Sequence, residues 1–578
     1  MARKSFGELL ADMARYNPRG IAVTCGATKV RWNDLNAKAN RFANALTSLG
    51  VKKGDHVSIM FHDCPEFIEA NYAAQKIGAV PIPMNFRFVA KEIEYQVNHS
   101  DSTVLIFEDL FVDEVLAAKK NMPRLQHYIC LNRSGTKAFG MIDYENLISH
   151  HDASEPEPCT DDDDICTICY TGGTTGLPKG VVLTYSNFWH LSESLFGDLI
   201  GRLASDEKVN FGRIISRLIN TEVMENPINR VMASPKARSF VSTSIPKLLP
   251  KLSGTAAGPL LGRITGGLSM FLNMPLFHMA NYQILIIGPM SGLPRYIIRE
   301  GIHFDPKEVL ETIERERPMV VICVPTQWKM ILNSPEIETF DTGSVLVAMT
   351  GAGVNPAETK KEILRRFRNS LVVDIFGQTE MTPDTTIRID ATEEGLKNKS
   401  VGRPLAGIEM RIVDENGLDV AHGETGEILY RSATIMKEYY GEKEKTAQVI
   451  RDGWFYSGDL GYIDPDGELI VVDRKGECIS TGGEKVFPHE VEEILSGNEK
   501  VDSVCVIGIP DEIWGQKVRA VVVLKDGQAA TEEEIIAWSK SRMTGFKRPK
   551  SIVFANSLPL SPVGKVLRSQ VKGLYGKP

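Results

Sequence analysis

Short apolar segments alternate with charged, amphipathic ones through most of the chain, and few architectures accommodate that rhythm. Val104–Phe107, Ile165–Tyr170, Met319–Val324, Val345–Met349 and Leu371–Asp374 read as strands, while Pro306–Glu316 and Glu358–Arg368 read as helices with charged faces. Strands separated by helices imply parallel sheets covered by helices on both faces, an α/β fold. From about Val401 the rhythm changes. Strands become close-set, with turn signals at Glu415-Asn416-Gly417 and Asp464-Pro465-Asp466-Gly467, which predicts a small antiparallel β unit. After Asp473-Arg474-Lys475-Gly476-Glu477 it changes again. A helix at Pro488–Leu495, strands at Ser503–Ile507 and Val518–Leu524, and a helix at Glu532–Arg542 predict a compact α+β unit of about 100 residues.

With 578 residues the chain can bury an ample core without staples. Its formal net charge of −8 argues against a nucleic-acid partner. Nine scattered cysteines suit reduced thiols in a cytoplasmic protein better than a disulfide framework. Met1–Asn17 carries Glu8 and Asp12 and lacks the apolar core of a signal peptide. Ile264–Ile287 is nearly free of charge, but Gly266, Gly267, Asn273, Pro275, Asn281 and Gln283 interrupt it, so it reads as buried core rather than a membrane span. The spacing Cys166-x-x-Cys169 falls on a strand, where positions i and i+3 face opposite ways; core thiols are expected there, not a metal site.

The first chemical motif follows the strand Ile165–Tyr170. It is TGGTTGLPKG, Thr171–Gly180. Gly172, Gly173 and Gly176 let backbone amides turn inward, Thr171, Thr174 and Thr175 add hydroxyl donors, and Lys179 adds positive charge. A polyphosphate needs such a donor-rich loop with no Cβ in the way. It is not a Walker A loop, because strand-like Val181-Val182-Leu183 follows where that motif opens a helix.

At this motif the sequence resembles the adenylate-forming superfamily of acyl-CoA synthetases, luciferases and peptide-synthetase adenylation domains. Further motifs similar to that family's follow in order: Pro275–Met279 (PLFHM), Thr350–Val354 (TGAGV), Asp374–Met381 (DIFGQTEM), Ser400–Leu405 (SVGRPL), Gly453–Gly461 (GWFYSGDLG), Val472–Glu477 (VDRKGE), Ser480–Glu492 and Pro559–Arg568. The resemblance implies a large N-terminal domain over residues 1–474, a small mobile C-terminal domain over 477–578 and a hinge near 473–477. It implies ATP, Mg²⁺ and CoA as co-substrate. By resemblance the loop from Thr171 to Lys179 holds the β- and γ-phosphates, Thr379 donates to the α-phosphate and Glu380 supplies the carboxylate for Mg²⁺. Phe376 would stack on adenine, with Gly351 and Ala352 opposite and Gly377 and Gln378 beside it. Asp459 would accept from the ribose hydroxyls with help from Arg474. Lys565 would place a positive charge between the carboxylate and the α-phosphate. Gly482, Gly483 and Glu484 would border the thiol's tunnel, and the two glycines equally suit a turn before the next helix. His278 would adjust the acyl pocket; a buried structural histidine is the competing reading.

The chain departs from the family pattern in places. Gly173 stands where Ser is common, Phe376 where Tyr is common, and Gly476 where the hinge usually has Asp or Lys. Lys179 to His278 spans 99 positions, longer than the pattern predicts. Within Gly201–Arg263 ten Lys/Arg outnumber four acids, and Phe211, Ile214, Ile215, Leu218 and Ile219 mark an amphipathic helix bearing Arg213 and Arg217. That segment, near 200–263, is either packed on the body with a solvated basic face, or a cap over the acyl tunnel, or a surface that makes peripheral contact with anionic lipid and collects fatty acid. The expected activity is an ATP-dependent acyl-CoA synthetase in the cytoplasm acting on a medium- or long-chain fatty acid. The alternatives are an enzyme that loads a carrier-protein phosphopantetheine, and a regulator with a decayed site. Oligomeric state is left open.

Overall fold

The computed structural model describes all residues except 1–2, 136–139, 172–177, 219–224, 253–254, 293, 354, 482–483, 512–513, 541, 544, 562–563 and 578. Two sheets carry the predicted α/β rhythm. One has nine strands, in the order Arg403–Pro404, Asp384–Asp390, Leu371–Gly377, Val347–Thr350, Val320–Cys323, Leu268–Leu272, Pro294–Ile298, Ile21–Cys25 and Thr28–Arg31. The six strands from Leu371–Gly377 to Ile21–Cys25 run parallel, and antiparallel strands finish each edge. The second has five parallel strands: Val80–Pro83, His56–Met60, Val104–Glu108, His127–Leu131 and Ile142–Asp143. The helices between them are locally specified. In Pro306–Glu316, Asp305 caps the N-terminus through the Lys307 amide, Pro306 opens the first turn, and Val309, Leu310 and Ile313 form the buried stripe. The next strand, Val320–Cys323, is buried at every position, as a central parallel strand should be.

The strand Ile165–Thr171 corrects the sequence reading. It belongs not to a parallel sheet but to a three-stranded antiparallel one with Lys179–Thr184 and Glu438–Tyr439. Too few residues separate it from its successor for a helical crossover, so the chain returns as a hairpin. The antiparallel unit expected after Val401 is a five-stranded sheet that includes Gly426–Arg431, Trp454–Ile463 and Leu469–Arg474. The final sheet includes Ile479–Thr481, Glu484–Val486, Val501–Asp511, Gly515–Leu524 and Ser551–Phe554. The last helix predicted in that region, Glu532–Arg542, ends earlier, at Ser539.

The stretch Ile264–Ile287 resolves into the strand Leu268–Leu272 and the start of the helix Met279–Ser291, both in the core. Among the described residues no helix is long and apolar enough to cross a membrane. Cys166 and Cys169 are buried free thiols. The basic segment forms the helices Phe211–Leu218, Glu225–Met232, Pro235–Leu252 and Ala257–Thr265; Ile219 lies outside the described residues. Phe211, Ile214 and Ile215 pack against the main core. Arg213 pairs with Glu225 at 3.4 Å and donates to Asn369 Oδ1 at 2.7 Å.

Beyond Glu477 the chain is docked onto what precedes it. Lys399 pairs with Glu493 at 2.8 Å. Asp473 accepts the His489 amide at 3.0 Å. Gly564 has φ +77°, and a Cβ there would lie 2.7 Å from Thr326 Oγ1. The turn that carries Lys565 therefore rests on the helix Pro325–Leu332, closer than a side chain would permit.

Candidate active site

A cleft of about 900 Å³ opens where these sheets meet. On one side the hairpin sets Thr171 opposite Lys179, and both line the cleft. Gly172, Gly173, Thr174, Thr175 and Gly176 lie outside the described residues. Lys179 places its ammonium 4.7 Å from the centre of the Tyr439 ring. Tyr439 in turn donates to Glu380 Oε1 at 2.8 Å. Burial and the adjacent Glu380 carboxylate push the phenol pKa up, so it stays a donor. Tyr439 sits on the strand paired with the hairpin, at the position opposite Val181. Sequence reasoning missed it, because a tyrosine in Lys-Glu-Tyr-Tyr-Gly has no spacing that marks a role.

Replacing Tyr439 with Phe keeps the ring under Lys179 and removes the hydroxyl. Loss of one hydrogen bond to a charged acceptor costs about 1.5–3 kcal/mol. ATP–pyrophosphate exchange is expected to need more Mg²⁺ in this variant and to fall roughly tenfold or more at limiting Mg²⁺. An unchanged Mg²⁺ dependence would remove Tyr439 from the site.

On another side, the strand Leu371–Gly377 ends at the cleft. Ile375 and Gly377 line it, whereas Phe376 is half-buried against the main core. Gly351 and Ala352 line it from the neighbouring strand's loop, Ala352 with φ +60°; Val354 lies outside the described residues. The chain then doubles back. The Gln378 amide donates to Pro383 O at 2.8 Å, and Thr379–Met381 form a single 3-10 turn that puts Thr379 and Glu380 on the cleft wall.

Asp459 is buried, with Oδ1 2.8 Å from Arg474 Nε and Oδ2 accepting Gln378 Nε2 at 3.5 Å. Antiparallel register fixes the first contact, since Asp459 lies directly opposite Arg474. Burial raises the Asp459 pKa; Arg474 and then Lys565 oppose the rise. Each carboxylate oxygen can accept more than one hydrogen bond, so capacity for a ligand remains.

Lys565 lines the same cleft as Thr379, Glu380 and His278. Desolvation and then Arg474 lower its pKa, and Asp459 opposes them; the side chain is still water-exposed, which limits the first effect. His278 caps the helix Met279–Ser291, its Nδ1 accepting the Ala280 amide at 3.3 Å. Desolvation, then Lys565, lowers its pKa to about 4, so the ring is neutral at pH 7. The capping role is structural and the location is on the cleft, so both readings of this histidine keep a foothold. Gly482 and Gly483 lie outside the described residues; Glu484 begins a strand opposite Thr481.

Two more cleft residues escaped the sequence reading, Gln283 and Asp384.

A sequence profile described as AMP-binding enzyme matches residues 10–209 and 255–440, and one described as AMP-binding enzyme C-terminal domain matches 490–565. The gap between the first two stretches falls inside the basic segment. The chain is 30% identical over 577 residues to a feruloyl-CoA synthase of Amycolatopsis sp, with 100% of both chains covered. It is 28% identical to a long-chain-fatty-acid–CoA ligase of Bacillus subtilis (strain 168), covering 99% of this chain and 94% of the relative. Among solved structures, an anthranilate CoA ligase in complex with anthranoyl-AMP shares the fold with a TM-score of 0.78 at 22% identity, covering 98% and 96% of the two chains. A Mycobacterium tuberculosis fatty acyl CoA synthetase superposes with a TM-score of 0.69 at 26% identity, over 99% of each.

Proposed function

The chain belongs to the AMP-binding enzyme family, and from that premise we propose that it is an AMP-forming ligase joining a carboxylic acid to the thiol of CoA. The observation that carries this is one cleft that gathers Lys179, Thr379, Glu380, Lys565 and Arg474, with buried Asp459 paired to Arg474 behind its wall. Three jobs are needed. The nucleotide must be held, charge on the α-phosphate must be neutralised, and pyrophosphate must be helped to leave.

In the first step a carboxylate oxygen of the acid attacks the α-phosphorus of ATP, and the bond to the bridging oxygen breaks to release pyrophosphate. In this reading Lys179 and Thr171 receive the terminal phosphates, Thr379 donates to the α-phosphate and Lys565 sets its charge beside the attacking oxygen. Asp459 accepts from the ribose and Arg474 holds Asp459. In the second step the thiol attacks the acyl carbon and AMP departs. The donor set suits Mg²⁺: Glu380 commits Oε1 to Tyr439, and among the described residues no donor bonds its other oxygen. The ion, when bound, offsets phosphate charge.

The acid is less narrowly drawn. Of Phe271–Met279, only Met274, Phe277, His278 and Met279 line the cleft, and Phe271 is core. A medium- or long-chain fatty acid fits that apolar wall, and curated relatives act, by name, on both fatty and aromatic acids. The lipid-facing reading of the basic segment loses the Arg213 face, which is paired with the body. Its remaining support is exposed Val231, Phe240 and Leu260, with Arg230, Lys236 and Arg263 also exposed.

A screen of carboxylic acids for CoA-dependent AMP release tests the proposal. AMP release only with a phosphopantetheine carrier would favour carrier loading. No pyrophosphate release with any acid would favour a regulator. Asp459→Ala should raise the KM for ATP roughly tenfold or more, since unpaired ribose hydroxyls cost on the order of 1–3 kcal/mol each. An unchanged KM would place ribose recognition elsewhere.

A further inference from the structure

Gln283 and Asp384 stand together in the wall of the cleft, on the side formed by the helix that begins after His278. Gln283 lies on that helix. Asp384 opens the strand that returns from the Thr379–Glu380 turn, opposite Gly377. Each is only 3% exposed. Gln283 Nε2 donates to Asp384 Oδ1 at 3.0 Å. The rest of the pair is unmatched: Gln283 Oε1 and Asp384 Oδ2 are buried without a hydrogen-bond partner among the described residues.

Such a pair is costly as a piece of core. Two buried acceptors without donors each forgo the hydrogen bond they had in water. No cation among the described residues pairs with Asp384, and burial lifts its pKa to about 7, opposed only by the Gln283 hydrogen bond. Nearby buried carboxylates are treated otherwise. Asp374 is matched by Lys360, and Asp459 by Arg474. The cleft that Asp384 lines also carries apolar Met274, Met279 and Ile284. The unmet groups are both oxygens, so with Asp384 ionised a group that completes both must bring hydrogen atoms.

We infer that Gln283 and Asp384 form a specificity site for a hydrogen-bond donor on the acid substrate, a hydroxyl or an amino group carried away from the reacting carboxylate. The inference rests on the ligase reading above and narrows its substrate class. An acid ending in a bare methyl or phenyl group leaves both oxygens unpaired. A donor-bearing acid satisfies them, and a site built to pair a donor rejects the analogue that lacks it.

The test uses the full-length enzyme and two matched sets. One is 3-phenylpropanoic acid with its 4-hydroxy and 4-aminomethyl derivatives; the other is decanoic acid with its 10-hydroxy and 10-amino derivatives. The readout is kcat/KM for CoA-dependent AMP formation. In at least one set a donor-bearing acid should exceed its parent by tenfold or more, and which donor wins identifies hydroxyl or ammonium as the ligand. Gln283→Leu and Asp384→Leu should each cut that preference to below threefold while the parent acid's kcat/KM holds or rises. Should Asp384→Leu not fold, Asp384→Asn should still move the ratio between the hydroxyl and ammonium acids. Parents used as well as their derivatives by the wild-type enzyme would overturn the inference and leave the ligase reading standing; the pair would then hold only water. Absence of AMP formation with every acid, including those of a wider screen, would overturn both.

Discussion

Lys565→Ala is expected to slow acyl-adenylate formation by at least 10²–10³-fold, the order lost when one preorganised charge-stabilising group is removed. The expectation comes from placement. Lys565 is carried on a turn that presses Gly564 against Thr326, and its side chain lines the cleft with Thr379 and Glu380. In that docked arrangement it faces the first step. Thioester formation from preformed acyl-adenylate and CoA breaks a different bond, with AMP as the leaving group, and should be nearly unaffected. Single-turnover measurement of each half-reaction separates the two. Equal losses in both would show that Lys565 serves the whole cycle or that its turn holds the fold together. Lys565→Arg sharpens the comparison: it keeps the charge but replaces a compact ammonium with a wider planar group, so partial recovery of the first step would point to charge rather than packing.

The elements that proved legible were those whose information is local. Pro306–Glu316 carries its cap, its opening proline and its buried stripe in eleven residues, and it occurs where the spacing predicted. The turn signals after Val401 likewise found an antiparallel sheet. Ile165–Tyr170 reads as a strand of a parallel sheet yet pairs antiparallel, because apolar content identifies a buried strand but not its partner. The short connection to Lys179 was the overlooked signal. Site residues divide the same way. Asp459 and Arg474 are coupled by the resemblance alone, and register supplies the physical reason by putting them face to face. Tyr439, Gln283 and Asp384 could not be found, since their roles exist only as contacts between separate strands and helices. The basic segment shows a further limit: periodicity revealed an apolar stripe, yet only packing shows that Arg213 turns to Glu225 and Asn369.

Gly377→Ala should impair both half-reactions, in contrast to Lys565→Ala. Here the limiting factor is space, not dihedral freedom. A Cβ on Gly377 would lie 1.9 Å from the carbonyl oxygen of Pro383 and 3.0 Å from the Thr385 amide nitrogen, both backbone atoms that no rotamer change can remove. That carbonyl also receives the Gln378 amide, the bond that closes the turn bearing Thr379 and Glu380. One methyl group must therefore force the turn from the strand, at a cost of about 1–3 kcal/mol for overpacking. A displacement near 1 Å at positioned groups costs roughly 10²-fold in rate. Because Thr379 meets the α-phosphate of the acyl-adenylate as well as that of ATP in the proposed site, turnover of preformed acyl-adenylate should drop along with its synthesis. Gly573→Ala is the control. It sits in the helix Arg568–Tyr575 with open space around its would-be Cβ, so it should leave both steps unchanged and slightly favour the helix. Normal kinetics in Gly377→Ala would mean that the turn does not position the reacting groups, and the catalytic assignment of Thr379 and Glu380 would fall with it.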